Sequence, residues 1–368
     1  MKILFVGDYS KLHATLAETL SRRGHEVTVL SDGCSHMGVA CDIFLKRRPG
    51  FLGSLRYIAE TAAILPRLRG YDVVQLVNPH FLNLRPERLR PIFRRLKRDN
   101  GSIFLSLAGN DSLFVRKCLD GHTFRFSEFR VADRPTEFAT LYPERERGYL
   151  LPEVVSYCDW FYDQIDGGMA VLPEYYMAAR EALGERLCHT NLPADLRELP
   201  QTDFRTEGKV RLLVGMRSGY VVPKGTDTLL ALARKVESRL PDIVETVNVR
   251  DLPWAEYRKV LTQCHINLDQ LYSYSPAMNA LSSMALGRIA ASGGQPEYYD
   301  IIGEKELRPV FPLSPLEKNL EERLCQLVAD PDGMAAMARD SRRLVERHNS
   351  VEIVADRYES HWNKLLRL

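Results

Sequence analysis

The chain has 368 residues, 45% of them hydrophobic and 27% charged, which are ordinary values for a globular protein of about two domains. Its 50 Lys and Arg residues against 48 Asp and Glu give a net charge of +2, so no overall field favours a nucleic-acid partner. No apolar run is long enough to predict a membrane span. Because the seven cysteines are scattered and odd in number, we expect neither a disulfide framework nor a zinc site. A reducing cytoplasm is therefore the expected compartment.

The first half of the chain alternates strand and helix patterns. An apolar run at Lys2–Asp8 is followed by leucines at helical spacing and by a second β-rich run at Gly24–Leu30, an order typical of a parallel sheet. We expect a doubly wound α/β domain over residues 1–190. Its further elements are predicted as strands at Val73–Val77, Ser102–Leu107 and Gly168–Leu172, and as helices at Leu52–Arg69, Pro86–Lys97 and Glu174–Leu183.

Residues 191–208 interrupt this alternation with prolines, acidic residues and Gly208, and they are predicted to form a linker. The alternation restarts at Val210–Gly215, which predicts a second α/β domain over residues 209–345. Its elements are predicted as helices at Thr226–Ser238, Glu256–Gln263 and Asn279–Leu286, and as strands at Ile243–Val249, His265–Leu268 and Arg288–Ala291. Residues 346–368 are predicted to form a helix whose apolar face packs back on the first domain.

The turn Gly7–Ser10 lies between the first strand and the first helix. Backbone N–H groups at a helix start suit an anionic ligand, and parallel α/β sheets bind ligands at the carboxyl ends of their strands. The turn is not a G-x-G-x-x-G motif, so a dinucleotide site is not predicted. The alternative interpretation is a tight structural turn.

Two cations lie close together at the start of the second domain. Arg217 ends the first strand of this domain in Gly215-Met-Arg217, and Lys224-Gly225 precedes the next helix. An Arg, which can bind two oxygens at once, and a mobile Lys can clamp a diphosphate from two sides. Each cation taken alone would more simply be a solvated loop residue.

A third segment runs from Asp269 through a polar loop into a helix of small residues, and then to Gly294-Gln-Pro-Glu297. The loop Tyr274–Met278 offers backbone N–H groups at a helix start. Taken alone, the small residues of the helix could instead allow close packing of the helix on the sheet.

In this order and spacing, the three segments resemble the retaining glycosyltransferases of the GT-B fold, family-4-like. The glycine-Arg and Lys-Gly element of that family matches Gly215–Arg217 and Lys224-Gly225, and its helix and turn match Ser282–Gly287 and Gly294–Glu297. The resemblance implies two Rossmann-like, doubly wound parallel-sheet domains that face each other across a cleft. It places a nucleotide-sugar donor mainly on the second domain, an acceptor mainly on the first, and a C-terminal helix crossing back to the first.

The resemblance also implies the residues of the donor site. The family usually carries two glutamates, one contacting the donor sugar and one the ribose, and here their positions hold Tyr274 and Ser282. Neither supplies a carboxylate, so we expect a weaker ribose contact or one from elsewhere, with Asp269, Gln270 and Asn279 as nearby polar candidates. The donor-binding candidates are Gly7, Arg217, Lys224, Gly225, Tyr274, Ser275, Met278, Asn279, Ser282 and Glu297.

On the acceptor side, Ser106–Ser112 follows a predicted strand, where such enzymes often carry a His or Asp. Asn110 and Asp111 are the first candidates there and His80 is a further one, although an Asp in this position can instead cap the next helix. The catalytic candidates are Arg217, Lys224 and Asp111, with electrostatic stabilisation of the leaving diphosphate as the main effect. No metal or other cofactor is expected.

The predicted helix within Arg85–Arg98 carries seven basic residues against Glu87, interleaved with apolar ones. Such a helix can lie on an anionic membrane surface, or it can be an ordinary surface helix of the first domain.

The function expected from the sequence is a cytoplasmic glycosyltransferase, with peripheral contact of this helix on the inner face of the membrane left open beside the plain surface helix. It would move a sugar with retention from a nucleoside-diphosphate donor to a glycan or lipid-linked acceptor in surface polysaccharide biosynthesis. The alternatives are a catalytically degraded nucleotide-sugar-binding protein and a nucleotide-sugar epimerase on the same fold.

Overall fold

The computed structural model describes residues 1–32, 41–205 and 207–366, which form two compact units. The first unit comprises Met1–Arg116, Arg147–Pro193 and Val351–Leu368. The second comprises Lys117–Glu146 and Ala194–Ser350. Each unit is built on a parallel sheet with helices packed against it.

The strands, in chain order, are β1 (Lys2–Val6), β2 (Glu26–Ser31), β3 (Ile43–Phe44), β4 (Val73–Leu76), β5 (Ser102–Leu107), β6 (Arg130–Val131), β7 (Arg134–Pro135), β8 (Gly167–Ala170), β9 (Leu187–His189), β10 (Val210–Met216), β11 (Val244–Arg250), β12 (Ile266–Leu268), β13 (Ile289–Ser292) and β14 (Phe311–Pro312).

The helices, in chain order, are α1 (Leu12–Arg22), α2 (Gly50–Ile64), α3 (Pro86–Asp99), α4 (Ser112–Leu119), α5 (Glu137–Leu141), α6 (Pro143–Leu150), α7 (Pro152–Gln164), α8 (Pro173–Leu183), α9 (Val221–Lys224), α10 (Thr226–Arg239), α11 (Trp254–Gln263), α12 (Met278–Ala285), α13 (Pro296–Ile302), α14 (Leu320–Val328), α15 (Pro331–His348) and α16 (Val351–Leu365). Short 3₁₀ turns occur at Leu65–Arg67 and Gly184–Arg186.

The sheet of the first unit has the strand order β3-β2-β1-β4-β5-β8-β9, and every neighbouring pair is parallel. Strand β1, an inner strand of this sheet, pairs Ile3 with Val27 on one side and with Val73 on the other. All residues of β4 and β5 are buried, because helices cover both faces of the sheet. This burial explains why these strands have almost continuous apolar sequences.

The sheet of the second unit has the parallel order β11-β10-β12-β13-β14. Its core is formed by apolar side chains of the three inner strands, among them Leu212, Val214, Ile266 and Ile289, packed against α10, α14 and α15. The unit also contains the two-stranded antiparallel β6–β7 ribbon. The predicted fold class, two doubly wound parallel-sheet domains, is confirmed for each unit.

The C-terminal helix α16 is part of the first unit and packs on α1. The Trp362 indole N–H donates to the Gln75 side-chain oxygen at 2.9 Å, and the Tyr358 hydroxyl lies 3.1 Å from the Ser106 hydroxyl. Ser106 also lies 2.9 Å from the His13 ring. A buried polar network therefore joins the last helix to the first helix and the central strands.

The unit boundaries differ from the sequence prediction in three places. The segment Lys117–Glu146 belongs to the second unit, although it lies between strands of the first sheet in the chain. Residues 194–205 of the predicted linker belong to the second unit, where the Thr202 N–H donates to the Leu286 carbonyl at 3.1 Å. The predicted crossover helix begins at Val351, since residues 346–348 are the last turn of α15.

Candidate functional site

An ion pair lies at the end of strand β12 in the second unit. The Lys224 ammonium, at the end of α9, is 3.2 Å from an oxygen of Asp269, which directly follows β12. The Asp269 side chain is fully buried, whereas that of Lys224 is 34% exposed. The cation can therefore reach solvent while its partner cannot.

Two neutral donors hold the Asp269 carboxylate in place. The Asn279 amide, on the first turn of α12, donates to one oxygen at 2.9 Å, and the Ser292 hydroxyl, at the end of β13, donates to the other at 3.3 Å. The Leu271 N–H donates to the Lys224 carbonyl, so α9 is tied to the loop after β12. Two strand ends, those of β12 and β13, and two helices, α9 and α12, thus contribute to one hydrogen-bonded cluster.

Gly225 makes this close packing possible. Its φ of +66° is in the left-handed region, and a Cβ there would lie 3.0 Å from the Leu271 Cβ. Only glycine occupies such a conformation without strain or displacement of its neighbours. The backbone conformation and close packing after Lys224 therefore explain why glycine follows this lysine in the sequence.

Arg217 is the first residue after β10 and is exposed. Its guanidinium lies 5.1 Å from the centre of the Tyr220 ring. It also acts electrostatically on Asp251, whose pKa is lowered chiefly by the Ser218 hydroxyl and N–H that donate to it. Arg217 and Lys224 are therefore cations at the same edge of the sheet, one directly after β10 and one beside Asp269.

The polar loop before α12 folds tightly against the strand end of β13. A Cβ on Gly293 would lie 2.4 Å from the Ser275 nitrogen and 2.5 Å from the Ser273 carbonyl, so the two backbones touch. Ser275 is fully buried, and the Ser273 hydroxyl donates to its carbonyl at 2.7 Å. Met278 begins α12 at the end of this loop.

The two positions that would carry the family's glutamates are engaged in internal contacts. The Tyr274 hydroxyl accepts from the Arg125 N–H at 2.6 Å, and the Tyr274 ring stacks on Phe126 at 4.7 Å. The Ser282 hydroxyl donates to the Met278 carbonyl at 2.7 Å. The Glu297 carboxylate accepts two hydrogen bonds from the Arg125 guanidinium, at 2.8 and 3.0 Å.

The structure thus brings together Lys224, Gly225, Asn279 and Ser292 around Asp269, whereas Tyr274 and Glu297 form a second cluster around Arg125. Sequence reasoning named Asp269 only as a nearby polar candidate and missed Ser292 and Arg125. Asp269 and Ser292 could have been found because each stands at the end of a buried strand, where parallel α/β sheets bind ligands. Arg125 carries no such signal, since it lies in a segment without a recognisable motif.

In the first unit, Gly7 and His80 line a cavity of about 320 Å³ together with Asp8, Tyr57 and Asn83. Gly7 has a φ of +79°, and a Cβ there would lie 2.4 Å from a Val77 methyl group. Burial raises the pKa of the Asp8 carboxyl to about 6, although hydrogen bonds from backbone N–H groups at the start of α1 lower it in part. Burial also lowers the pKa of His80.

Asp111 caps helix α4 and also holds a tyrosine. One carboxylate oxygen accepts from the Phe114 N–H at 2.8 Å and the other from the Tyr162 hydroxyl at 2.6 Å. Burial raises the pKa of the Asp111 carboxyl. The carbonyl of the neighbouring Asn110 is 3.3 Å from the Asn78 amide nitrogen, which donates to it. The acceptor-side roles of Asn110, Asp111 and His80 stay predictions.

Within residues 1–32, 41–205 and 207–366, no helix combines the length and the apolar composition that crossing a membrane requires. The same residues contain no group of three or more His, Cys, Asp or Glu side chains placed to hold a metal ion.

No protein-family model matches the sequence, and no curated protein matches it. Solved structures match it over nearly its whole length. Sucrose-phosphate synthase from Thermosynechococcus elongatus is 13% identical with a TM-score of 0.62, and the match covers 99% of each chain. HepE from Anabaena, in complex with UDP-glucose, is 13% identical with a TM-score of 0.63, over 99% of this chain and 100% of that one.

A protein from Listeria monocytogenes assigned as a UDP-N-acetylglucosamine 2-epimerase is 11% identical with a TM-score of 0.57, over 99% of this chain and 97% of that one. At these identities the likeness concerns the fold. With its two parallel-sheet α/β units, the chain has the fold of the GT-B glycosyltransferases.

Proposed function

We propose that the chain is a glycosyltransferase that moves a sugar from a nucleoside-diphosphate donor to a glycan or lipid-linked acceptor. The observation that carries the proposal is the partly exposed Lys224, held by buried Asp269 at the carboxyl edge of the second sheet. Parallel α/β sheets bind ligands at this edge, and Arg217 adds a second cation there. HepE, which has the same fold, was solved with UDP-glucose, and this supports a nucleotide sugar as the donor.

In this proposal the two cations act on the leaving group. Negative charge grows on the diphosphate as its bond to the sugar breaks, so cations already in place stabilise the transition state more than the bound donor. When a phosphate draws Lys224 away from Asp269, the Asn279 amide and the Ser292 hydroxyl still donate to the carboxylate. The donor is then neutralised by side chains, and we propose that no metal ion is needed.

The retaining outcome and a role in surface polysaccharide biosynthesis are finer parts of the same proposal, supported by the motif resemblance. So is the donor-binding role of Ser275, Met278 and Asn279, which lie in or directly after the loop that leads into α12.

A nucleotide-sugar-binding protein without turnover is the second candidate. It is favoured by the internal contacts of Tyr274 and Ser282, which stand where the family usually has glutamates and which already bond to Arg125 and Met278. An epimerase is a third candidate because the Listeria monocytogenes protein assigned to that activity matches the fold over nearly the whole chain.

The proposal is tested by thermal unfolding with UDP and with GDP in the presence of EDTA. A ligand at 100 times its Kd adds about 2.7 kcal/mol to the stability of the unit that binds it. We expect one of the two nucleotides to raise the melting temperature without metal. If neither does so at millimolar concentration, the donor site at Lys224 is refuted.

Product analysis then separates the three candidates. A transferase slowly releases free sugar and nucleoside diphosphate from its donor when water replaces the acceptor. A binding protein leaves the donor intact. An epimerase returns a nucleotide sugar with one inverted carbon, which proton NMR of the sugar ring detects.

A further inference from the structure

The first turns of α2 carry an unusual set of exposed apolar side chains. Among the residues that the structure describes, Leu52 and Phe51 are the most exposed large apolar side chains, at 79% and 76%. Phe44 and Leu55 are also exposed, at 63% and 48%. Phe51 and Leu55 lie one helical turn apart with Leu52 beside them, so they form one surface. We call Phe51, Leu52 and Leu55 the apolar patch, since single exposed apolar residues are common but such a group is not.

A group of cations accompanies the patch. Residues 44–56 contain Lys46, Arg47, Arg48 and Arg56 and no acidic residue. Arg56 forms an ion pair with Glu60 on the next turn, at 2.6 Å. We call these four cations the basic collar.

The local fold holds part of the collar against the patch. The Arg47 guanidinium donates to the Ser54 hydroxyl at 2.9 Å, and a Cβ on Gly53 would lie 2.3 Å from the Arg48 carbonyl. The loop before α2 is therefore folded onto the first turns of the helix. Gly53 permits this approach, because any side chain there would meet the backbone of Arg48.

We propose that the apolar patch and its basic collar dock the first unit on an anionic lipid surface. Apolar side chains surrounded by cations match the interface of such a bilayer, where the side chains enter the acyl boundary and the cations meet the headgroups. A second copy docked by the same patch would instead bring one basic collar against another, and these like charges repel even though each Arg56 is paired with Glu60. Charge complementarity therefore selects the lipid.

Helix α3, for which the sequence leaves membrane contact and a plain surface helix open, has most of its cations engaged with the protein. Two stack on the Trp160 ring, one donates to a carbonyl and two pair with Asp99. These are Arg90 and Arg94 at 4.9 and 5.6 Å from the ring centre, Lys97 on Gln164, and Arg95 and Arg98 at 3.4 and 2.7 Å from Asp99. The exposed Arg85 and Arg88 lie at its start. Helix α3 therefore adds long-range attraction, whereas α2 supplies the apolar contact.

The patch also borders the cavity of the first unit. Leu45, between Phe44 and Lys46 in the chain, lines the cavity, as does Tyr57 on α2. Arg47 of the collar lies 3.3 Å from the side-chain oxygen of Asn83, another lining residue. A docked unit would hold this cavity near the headgroups. Resting on the proposed function, this position favours a lipid-linked acceptor over a free glycan.

The docking is tested with the full chain and vesicles of phosphatidylcholine with or without phosphatidylglycerol. We expect sedimentation with the anionic vesicles only, weakening as salt increases. Phe51→Ser/Leu52→Ser should reduce partitioning at least about tenfold, since both apolar contacts are lost. Arg85→Gln/Arg88→Gln on α3 should reduce it less than about threefold, because distant charges are screened. All four positions are exposed, so the fold should persist, and circular dichroism checks this.

Insertion is tested directly with tryptophan. Phe51→Trp should show fluorescence quenched by brominated anionic lipid beyond that of the native tryptophans, whereas Leu316→Trp, an exposed position of the second unit, should not. Docking is overturned by equal binding to neutral vesicles, by no binding at all, by unchanged binding of the double serine variant, or by absence of quenching. A dimer seen by light scattering and lost in the double serine variant would assign the patch to a second copy instead.

Donor binding, measured by calorimetry on the double serine variant, separates this inference from the proposed function. We expect it to equal that of the wild type. Lipid docking without any nucleotide binding would refute the glycosyltransferase and leave the docking surface standing, whereas nucleotide binding without docking would do the reverse.

Discussion

At the scale of single residues, a mutation of the Lys224–Asp269 pair would affect both the stability of the second unit and the proposed catalysis. The Asp269 carboxylate is fully buried, and Lys224 provides its cationic partner at 3.2 Å. A buried charge that loses its partner is costly, whereas an exposed pair contributes little. Because Lys224 is one-third exposed, its contribution to stability lies between these limits, and its contribution to catalysis must be measured separately.

We expect Lys224→Ala to lower kcat by about 100- to 1,000-fold at saturating donor, because one electrostatic contact to the leaving diphosphate is lost. The change should raise the donor KM much less. It should also reduce the free energy of unfolding by about 1–2 kcal/mol. Steady-state kinetics and urea unfolding measure the two effects.

The double variant Lys224→Ala/Asp269→Asn distinguishes the effect on catalysis from the effect on stability. Removal of the carboxylate charge should recover most of the lost stability, since the new amide oxygen still accepts from Asn279 and the Ser292 hydroxyl can turn to accept from the new amide nitrogen. The kcat should stay low. Recovery of kcat together with stability would mean that Lys224 only neutralises Asp269.

Asp8 should make the first unit less stable as pH rises. Burial raises the pKa of its carboxyl from the ordinary 3.8 to about 6, so between these values the folded chain keeps a proton that the unfolded chain has lost. Stability from this group therefore falls between pH 4 and 6 and is constant above. Asp8→Asn, which keeps an acceptor for the Ala14 N–H, removes this dependence.

We expect Asp8→Asn to be roughly 2–3 kcal/mol more stable than the wild type at pH 8 and to lose that advantage by pH 4. Urea unfolding of both proteins across this pH range gives the difference between their free energies of unfolding. The other carboxyl groups contribute equally to both proteins and do not affect this difference. A constant difference from pH 4 to 8 would show that the carboxyl has an ordinary pKa.

At the scale of elements, sequence patterns predicted those that are long and buried. Strands β1, β4 and β5 have nearly continuous apolar sequences because both faces of the sheet are covered, and this pattern is visible without a structure. Strands β3 and β14 have two residues each and carry no periodicity. Their pairing depends on neighbours distant in the chain, which sequence patterns do not show.

In the candidate site, too, residues marked by a local motif were predictable, whereas contacts with distant parts of the chain were not. Arg217 and Lys224 were identified because they stand beside a glycine and a strand end. The contacts of Tyr274 were not predictable, since its partners lie about 150 residues earlier in the chain. Their segment lies between strands of the first sheet, so the sequence alone suggests that it belongs to the first domain. Phe124 and Phe126 are apolar residues without periodicity, and only packing shows that they belong to the second unit.

Tyr274 should anchor this segment. Tyr274→Ala removes the ring that contacts Phe124 and Phe126, and it removes the acceptor of the Arg125 N–H, at a cost of about 3–5 kcal/mol. We expect faster hydrogen exchange over residues 124–131, followed by mass spectrometry, while the core of the first unit stays protected. Ser282→Ala, at the other glutamate position, is the control and should leave that exchange unchanged. Unchanged exchange in Tyr274→Ala would show that other contacts hold the segment.

At the scale of the whole molecule, each unit includes a piece of chain from beyond its main stretch. The first unit receives Val351–Leu368 and the second receives Lys117–Glu146. The buried network of Trp362, Gln75, Ser106 and His13 shows that the last helix is part of the first core. Mutations in this helix should therefore act on the first unit.

We expect Trp362→Ala to destabilise the first unit by about 3–5 kcal/mol, since a fully buried indole and its hydrogen bond to Gln75 are lost. Calorimetry should show a lower transition for this unit while UDP or GDP still stabilises the second. Leu324→Ala, fully buried in the second unit, is the matched control and should lower the other transition. A shift of the nucleotide-stabilised transition in Trp362→Ala would contradict this assignment.

The place of α16 in the first core has a consequence for the order of events during translation. The ribosome makes β1 before every segment of the second unit and α16 after all of them, so the first core stays incomplete until α16 has been made. All segments of the second unit are made before α16, and domains generally fold as units while the chain emerges. The unit whose first strand is made earliest should therefore complete its core last, after the second unit has all of its segments.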